Sequence, residues 1–108
     1  MPYFIRARTY LRYAEEEFRR GHFEEAFWLA AKAIWALAQI EAPREKPEGE
    51  RLLAELERAA EAEAVRFFRE AARSFAEGVS PEEARKLSSS AIRWAREILA
   101  PILGPSFR

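Results

Sequence analysis

Apolar residues recur along the chain at intervals of three and four. Phe4, Ala7, Leu11, Ala14 and Phe18 form a first stripe, widened by Tyr3, Tyr10 and Tyr13, with Glu15 to Glu17, Arg19 and Arg20 on the polar side. That spacing places the stripe on one face of an α-helix. A helix is predicted from about Tyr3 to Arg20, closed by Gly21 as a left-handed terminating residue. A second helix is predicted from about Phe23 to Glu41, with Glu24 and Glu25 in a first turn where the helix dipole favours negative charge. Phe23, Ala26, Phe27, Ala30, Ala33, Ile34 and Leu37 make its expected stripe. Trp28, Ala31 and Trp35 make another, well rotated from the first. Between Ala26 and Ile40 only Lys32 and Gln39 are polar. A helix apolar nearly all round must be covered nearly all round. In so short a chain, the expected cover for the Trp28–Ala31–Trp35 side is a second copy, making the protein a homodimer.

Residues 42–49 carry two prolines and a glycine and read as a loop. Leu52, Leu53, Leu56 and Ala60 open a third helix, and Val65, Phe67, Phe68, Ala71 and Phe75 define a fourth apolar stretch. Nothing from Ala59 to Ala64 is a helix breaker, and the register runs through. One helix over residues 48–77 would measure roughly 45 Å at 1.5 Å per residue, against nearer 30 Å for each of the first two. A bend or short break near residues 60–63 is therefore expected. Gly78 ends the stretch, and Ser80-Pro81-Glu82-Glu83 is a helix start: a capping hydroxyl, a proline at the first helical position and a glutamate placed to close a capping box. The last helix shows Ala84, Leu87, Ala91, Trp94 or Ala95, Ile98 and Ile102, with Pro101 as a kink or end and residues 104–108 as a tail.

Composition supports an all-α reading. There are 21 alanines, 18 glutamates and 15 arginines, against two valines and one threonine. Alanine, glutamate and arginine favour helices, whereas strands favour β-branched residues. The expected architecture is a single domain over residues 1–108: an antiparallel bundle of four to five helices with short connections. The scarcity of Asn, Gln, Cys and Met, with all 18 acids being Glu, fits a thermophilic source. No leader pattern and no apolar run approaching a membrane span of ~20 residues is visible, so the expected location is cytoplasmic, with no membrane partner.

The chain balances 18 bases against 18 acids, so its net charge gives no polyelectrolyte signal. The distribution is uneven. Residues 41–63 hold eight Glu and four bases, and residues 85–108 hold five bases (Arg85, Lys86, Arg93, Arg96, Arg108) against Glu97. Arg66, Arg69 and Arg73 fall at i, i+3 and i+7 on one helix face and are the candidate phosphate or nucleotide contacts. The competing reading is ion pairing, since Arg66 with Glu70 and Arg93 with Glu97 have i, i+4 spacing. Catalytic candidates are few. His22 is the sole histidine and stands at a turn; Ser88, Ser89 and Ser90 have no base nearby in sequence; cysteine is absent. Neither a metal site nor a cofactor site is expected, and no catalytic residue is assigned.

Two segments resemble a known family. Residues 10–26, from Tyr10 through Gly21-His22-Phe23 to Ala26, and on through Ala30-Ala31-Lys32-Ala33, resemble the opening helical hairpin of HEPN domains. Residues 67–78, followed by Ser80-Pro81-Glu82-Glu83-Ala84, resemble the closing half of the archaeal paralogous-repeat branch of HEPN-like proteins. The resemblance implies a dimeric helical domain. In catalytic members, an arginine and a histidine separated by about four to six residues cleave RNA. Arg66 stands where that arginine would fall, but the histidine position is Ala72, Ser74 replaces the family Asn, and Ala76 replaces the Tyr. Without imidazole there is no ready proton shuttle for 2′-OH attack. The resemblance therefore implies a non-catalytic interaction or nucleotide-binding module, as in members that partner a small nucleotidyltransferase in toxin–antitoxin-type pairs. The alternatives are a degenerate ribonuclease using Arg66, and a tetratricopeptide-like interaction protein, whose inter-helix turn Gly21 to Ala26 imitates. Against the latter, no second repeat copy appears.

Overall fold

The computed structural model of the chain describes residues 3–39 and 46–104. Residues 1–2, 40–45 and 105–108 lie outside it, and so do the predicted end of the second helix, the first half of the predicted loop and Arg108; the Tyr3 and Phe4 side chains, placed in the first stripe, are likewise outside the description. The described residues form helices joined by short turns, without strands: α1 (Tyr3–Arg19), α2 (Phe23–Ala36), α3 (Gly49–Glu55), a 3₁₀ turn (Leu56–Arg58), α4 (Ala62–Glu77) and α5 (Pro81–Leu103). None of these helices is long and apolar enough to cross a membrane.

α1 buries Ala7, Leu11 and Ala14. Tyr10 is half-buried, with Lys46 Nζ 5.4 Å from its ring centre, whereas Tyr13, expected to widen the stripe, is 48% exposed. The helix closes at Gly21 (φ +82°). There the Gly21 N–H donates to Phe18 O (3.0 Å) and the His22 N–H to Glu17 O (2.9 Å). This is the bonding of a Schellman motif, which needs a residue with positive φ, the reason glycine suits the position. Phe18 and Phe23, with ring centres 5.4 Å apart, clasp the turn from either side.

α2 is the central element. It packs most extensively on α1 and α5 and also meets α3 and the 3₁₀ turn. Its Phe27 ring lies 5.4 Å from Phe68 and 5.1 Å from Phe75, both on α4. Ala26, Phe27, Ala30, Ala31, Ala33, Ile34, Trp35 and Ala36 are all buried, so the helix is enclosed on both apolar sides. It ends earlier than predicted. The N–H groups of Leu37, Ala38 and Gln39 bond carbonyls three residues back (3.1, 3.1 and 3.2 Å), a tightened final turn. Neither Gly nor Pro stands there, so no residue pattern marked the stop.

Residues 48–77 divide into α3, the 3₁₀ turn and α4. The N–H groups of Ala59 and Ala60 both donate to Leu56 O at 3.0 Å, and Glu61 is extended (φ −69°, ψ 157°) before α4 begins. A straight helix of roughly 45 Å would overrun the molecule, whose longest extent is 36 Å. Folding back lets Leu52, Leu53 and Leu56 join the same core as Phe68 and Ala71.

α5 starts as its sequence predicts: Ser80 Oγ accepts from the Glu83 N–H at 3.1 Å, and Pro81 occupies the first turn. Its buried line is Ser88, Ala91, Ala95 and Leu99. This is one residue removed from the predicted Leu87 and Ile98, which are half-buried, while Ile102 is exposed. Small residues at three of the four buried positions let α5 approach α2 closely. Ser88 Oγ is satisfied by donating to Arg85 O at 3.0 Å. Pro101 sits within the final turn and does not end the helix, which runs to Leu103.

Candidate phosphate-binding face

α4 is strongly amphipathic. Ala64, Val65, Phe68 and Ala71 are buried, and this inward anchoring turns Arg66, Arg69, Glu70 and Arg73 to the exposed side. Seven residues of helix separate the outer two arginines, an axial distance of roughly 10 Å. The structure therefore brings the three candidate arginines together as one ridge.

Their pairing differs from the ion-pair reading. Among the described residues, Arg66 makes no ion pair with Glu70, and neither Arg66 nor Arg73 has an ion-pair or hydrogen-bond partner. Arg69 has only Glu57, at 4.0 Å, with both side chains exposed. A contact at that distance in water contributes about 0–1 kcal/mol. Likewise Arg93 does not pair with Glu97 but donates to Ser90 Oγ at 3.4 Å. On α5, Arg85 and Lys86 are exposed, and Arg96 pairs with Glu15 of α1.

Two grooves flank the ridge. The first, of about 550 Å³, runs between α4 and the segment before it and is bordered by Glu57, Ala60, Val65 and all three arginines. The second, of about 470 Å³, lies between α2, α3 and α4 and is bordered by Trp28, Glu50, Leu53, Ala72, Arg69 and Arg73. Arg69 and Arg73 thus face both. Ala72 contributes only a methyl group to the second groove. Ser74 Oγ donates to Glu70 O within the helix (3.2 Å).

Two of the three residues expected at a contact between copies are buried within the single chain. Trp35 is 1% exposed and Ala31 0%. They share one buried cluster with Leu52, Leu53 and Leu56 of the same chain, and Trp35 Nε1 donates to Glu55 Oε1 at 3.2 Å. The second apolar side of α2 is enclosed by its own α3 and 3₁₀ turn, so Ala31 and Trp35 offer no surface to a second copy. Trp28 alone of the three is half-buried. It packs edge-on against Phe27 (5.0 Å) and borders the second groove beside Arg69 and Arg73. No sequence signal joined Trp28 to the arginines, because 41 residues separate it from Arg69.

His22 is exposed at the α1–α2 turn, as expected, but it has a partner the sequence did not suggest: Glu17 Oε2 lies 2.6 Å from its Nδ1. Arg20 Nη1 donates to Glu17 Oε1 at 3.0 Å. The hydrogen bond from His22 is the leading cause that holds the Glu17 carboxyl below its ordinary range. The cluster ties the closing turn of α1 to the start of α2. It presents no nucleophile beside the imidazole.

No family model matches the chain, and neither the curated proteins nor the solved structures contain a match.

Proposed function

We propose that this protein is a non-catalytic, HEPN-like helical module that binds a phosphate-bearing ligand on the Arg66–Arg69–Arg73 ridge. The observation that carries the reading is the absence of carboxylate partners for Arg66 and Arg73 on an exposed helix face, among the described residues. Guanidinium groups are planar, permanently charged and weakly hydrated, and present forked donors that match phosphate oxygens. Three on one face, spaced over roughly 10 Å, can contact an extended polyanion without rearranging the fold. A ribonuclease reading has less support. Ala72 and Ala76 supply no proton donor or acceptor, and the only imidazole stands at the α1–α2 turn, held by Glu17.

The test is calorimetric titration of the full chain with inorganic tripolyphosphate at low ionic strength. Binding is expected, weakening as salt screens the charges, and lost when Arg66, Arg69 and Arg73 are all replaced by alanine. A wild-type protein that does not bind, or a triple variant that binds equally well, overturns the proposal.

A further inference from the structure

We infer that one edge of the Arg6 guanidinium, together with the Gln39 amide, is a receptor for a single carboxylate at the far end of the α1–α2 hairpin. The inference goes beyond the α4 reading and does not depend on it.

Arg6 Nε, Arg6 Nη2 and Gln39 Nε2 are buried and have no hydrogen-bond partner among the described residues. All three are donors. Arg6 makes no ion pair among those residues either. Buried polar groups in folded proteins are satisfied almost without exception, and a buried charge left unpaired is among the costliest arrangements a fold can hold. Three unsatisfied donors call for an acceptor, and the permanent charge of Arg6 calls for a negative one. Water supplies lone pairs without charge, whereas an anion supplies both.

Topology places the donors at one end. α1 and α2 pack against each other and are joined by the short turn at Gly21, so they run antiparallel. Arg6 stands 15 residues before Gly21 and Gln39 stands 18 after it. At 1.5 Å per residue they lie roughly 22 and 27 Å from the turn. That end is short of negative charge. α1 carries no acid in its first turn and none before Glu15, although the helix dipole makes a helix start favour anions and disfavour cations. Tyr10, one turn from Arg6 on the same face, has Lys46 Nζ 5.4 Å from its ring centre. Lys46 is exposed and adds attraction for an incoming anion.

The unsatisfied edge selects the ligand. Nε–H and Nη2–H are the two parallel donors on one side of the guanidinium, spaced to meet both oxygens of a planar carboxylate. Gln39 Nε2 supplies a further N–H. One carboxylate cancels the one charge of Arg6, whereas a phosphate dianion leaves surplus charge in a poorly hydrated site. The carboxylate has two candidate sources. One is a free small acid; the other is Glu41 or Glu45, which follow Gln39 in sequence and lie outside the described residues.

The experiment follows the Arg6 Nε–H resonance of the full chain by ¹⁵N-edited NMR, identified by its loss in Arg6→Met. Sodium acetate is titrated against wild type, Gln39→Leu and the double variant Glu41→Gln/Glu45→Gln, with ionic strength held constant by sodium chloride. If the acid is a free ligand, acetate shifts the resonance saturably in wild type. Gln39→Leu then weakens acetate about tenfold or more, the worth of one hydrogen bond to a charged group. If the acid is the chain's own, acetate leaves wild type unchanged, the double variant shifts the resonance, and acetate restores it.

A resonance that responds neither to acetate nor to the double substitution overturns the inference, as does a double variant whose shifted resonance acetate does not restore. Inorganic phosphate acting on the resonance at lower concentration than acetate overturns the choice of carboxylate. Equal acetate binding by wild type and Gln39→Leu overturns the two-residue receptor.

Discussion

Trp35 of α2 and Glu55 of α3 are joined by an indole-to-carboxylate hydrogen bond of 3.2 Å, at a place where both helices close over the core. The bond satisfies the one polar atom of the most voluminous fully buried side chain and fixes α3 against α2. It also accounts for the second apolar side of α2: the chain folds back on itself there.

Trp35→Ala should destabilise the protein by about 3–5 kcal/mol, the range for removing a buried aromatic and leaving a cavity. Urea denaturation followed by circular dichroism measures this. Trp35→Phe should cost less, because it keeps most of the volume and loses the hydrogen bond. If Trp35→Ala changes the mass in sedimentation while stability is unaltered, the assignment of Trp35 to the core is wrong.

Gly21 is the residue whose backbone ends α1, with φ +82° and open space around a would-be Cβ. The cost of a side chain is therefore conformational and not steric. Gly21→Ala should cost about 1–2 kcal/mol, and Gly21→Asn less, since Asn tolerates the left-handed region better. A thermal melt that ranks Ala above Asn would contradict this account of the turn.

Ser80 caps α5 by accepting from the Glu83 amide. Ser80→Ala should lower stability by about 1 kcal/mol, and Ser80→Asp should retain most of it. Hydrogen exchange should report the loss first at the amides of Glu82 and Glu83.

The Glu17 carboxyl has a folded-state pKa below the ordinary glutamate range, chiefly through its hydrogen bond with His22. A depressed acid pKa adds stability that is fully present above the unfolded value and is lost as pH falls through the folded one. The difference in melting temperature between wild type and Glu17→Gln should thus be largest above the ordinary glutamate pKa and shrink as the solution is acidified below it. A difference constant with acidification would show that the His22 contact does not couple to folding.

Glu57 is the only carboxylate that reaches Arg69 among the described residues, at 4.0 Å. Glu57→Gln should therefore tighten tripolyphosphate binding a few-fold, in line with the ~0.2–1 kcal/mol of an exposed pair. Glu77→Gln, at the far end of α4, serves as the control and should have no comparable effect. Calorimetry on both variants decides it.

Some of the architecture was legible residue by residue. The 3–4 spacing of Ala7, Leu11 and Ala14 marked the buried side of α1, and the glycine and Ser-Pro signals marked where α1 ends and α5 begins. The Arg66–Arg69–Arg73 ridge was also legible, because helical period alone puts those positions on one face. On α5 Ala91 and Ala95 were legible, but Leu87 and Ile98 were each one residue from the buried line, at Ser88 and Leu99. Ser88 is less hydrophobic than Leu87, yet its small side chain is the one buried. The stop of α2 at Ala36 was illegible for a different reason: tightened backbone hydrogen bonds make it, and no residue type announces them.

Local chemistry, then, determined that this chain is helical, where two of its turns fall and that α4 carries three arginines on one side. Those properties follow from rotation per residue, backbone sterics and capping hydrogen bonds, which act within a few positions. The fold decided what covers α2, where residues 48–77 break, which arginines go without a carboxylate and that Trp28 stands beside Arg73. Each of these depends on distances between segments far apart in the chain, and such distances exist only once the core has closed.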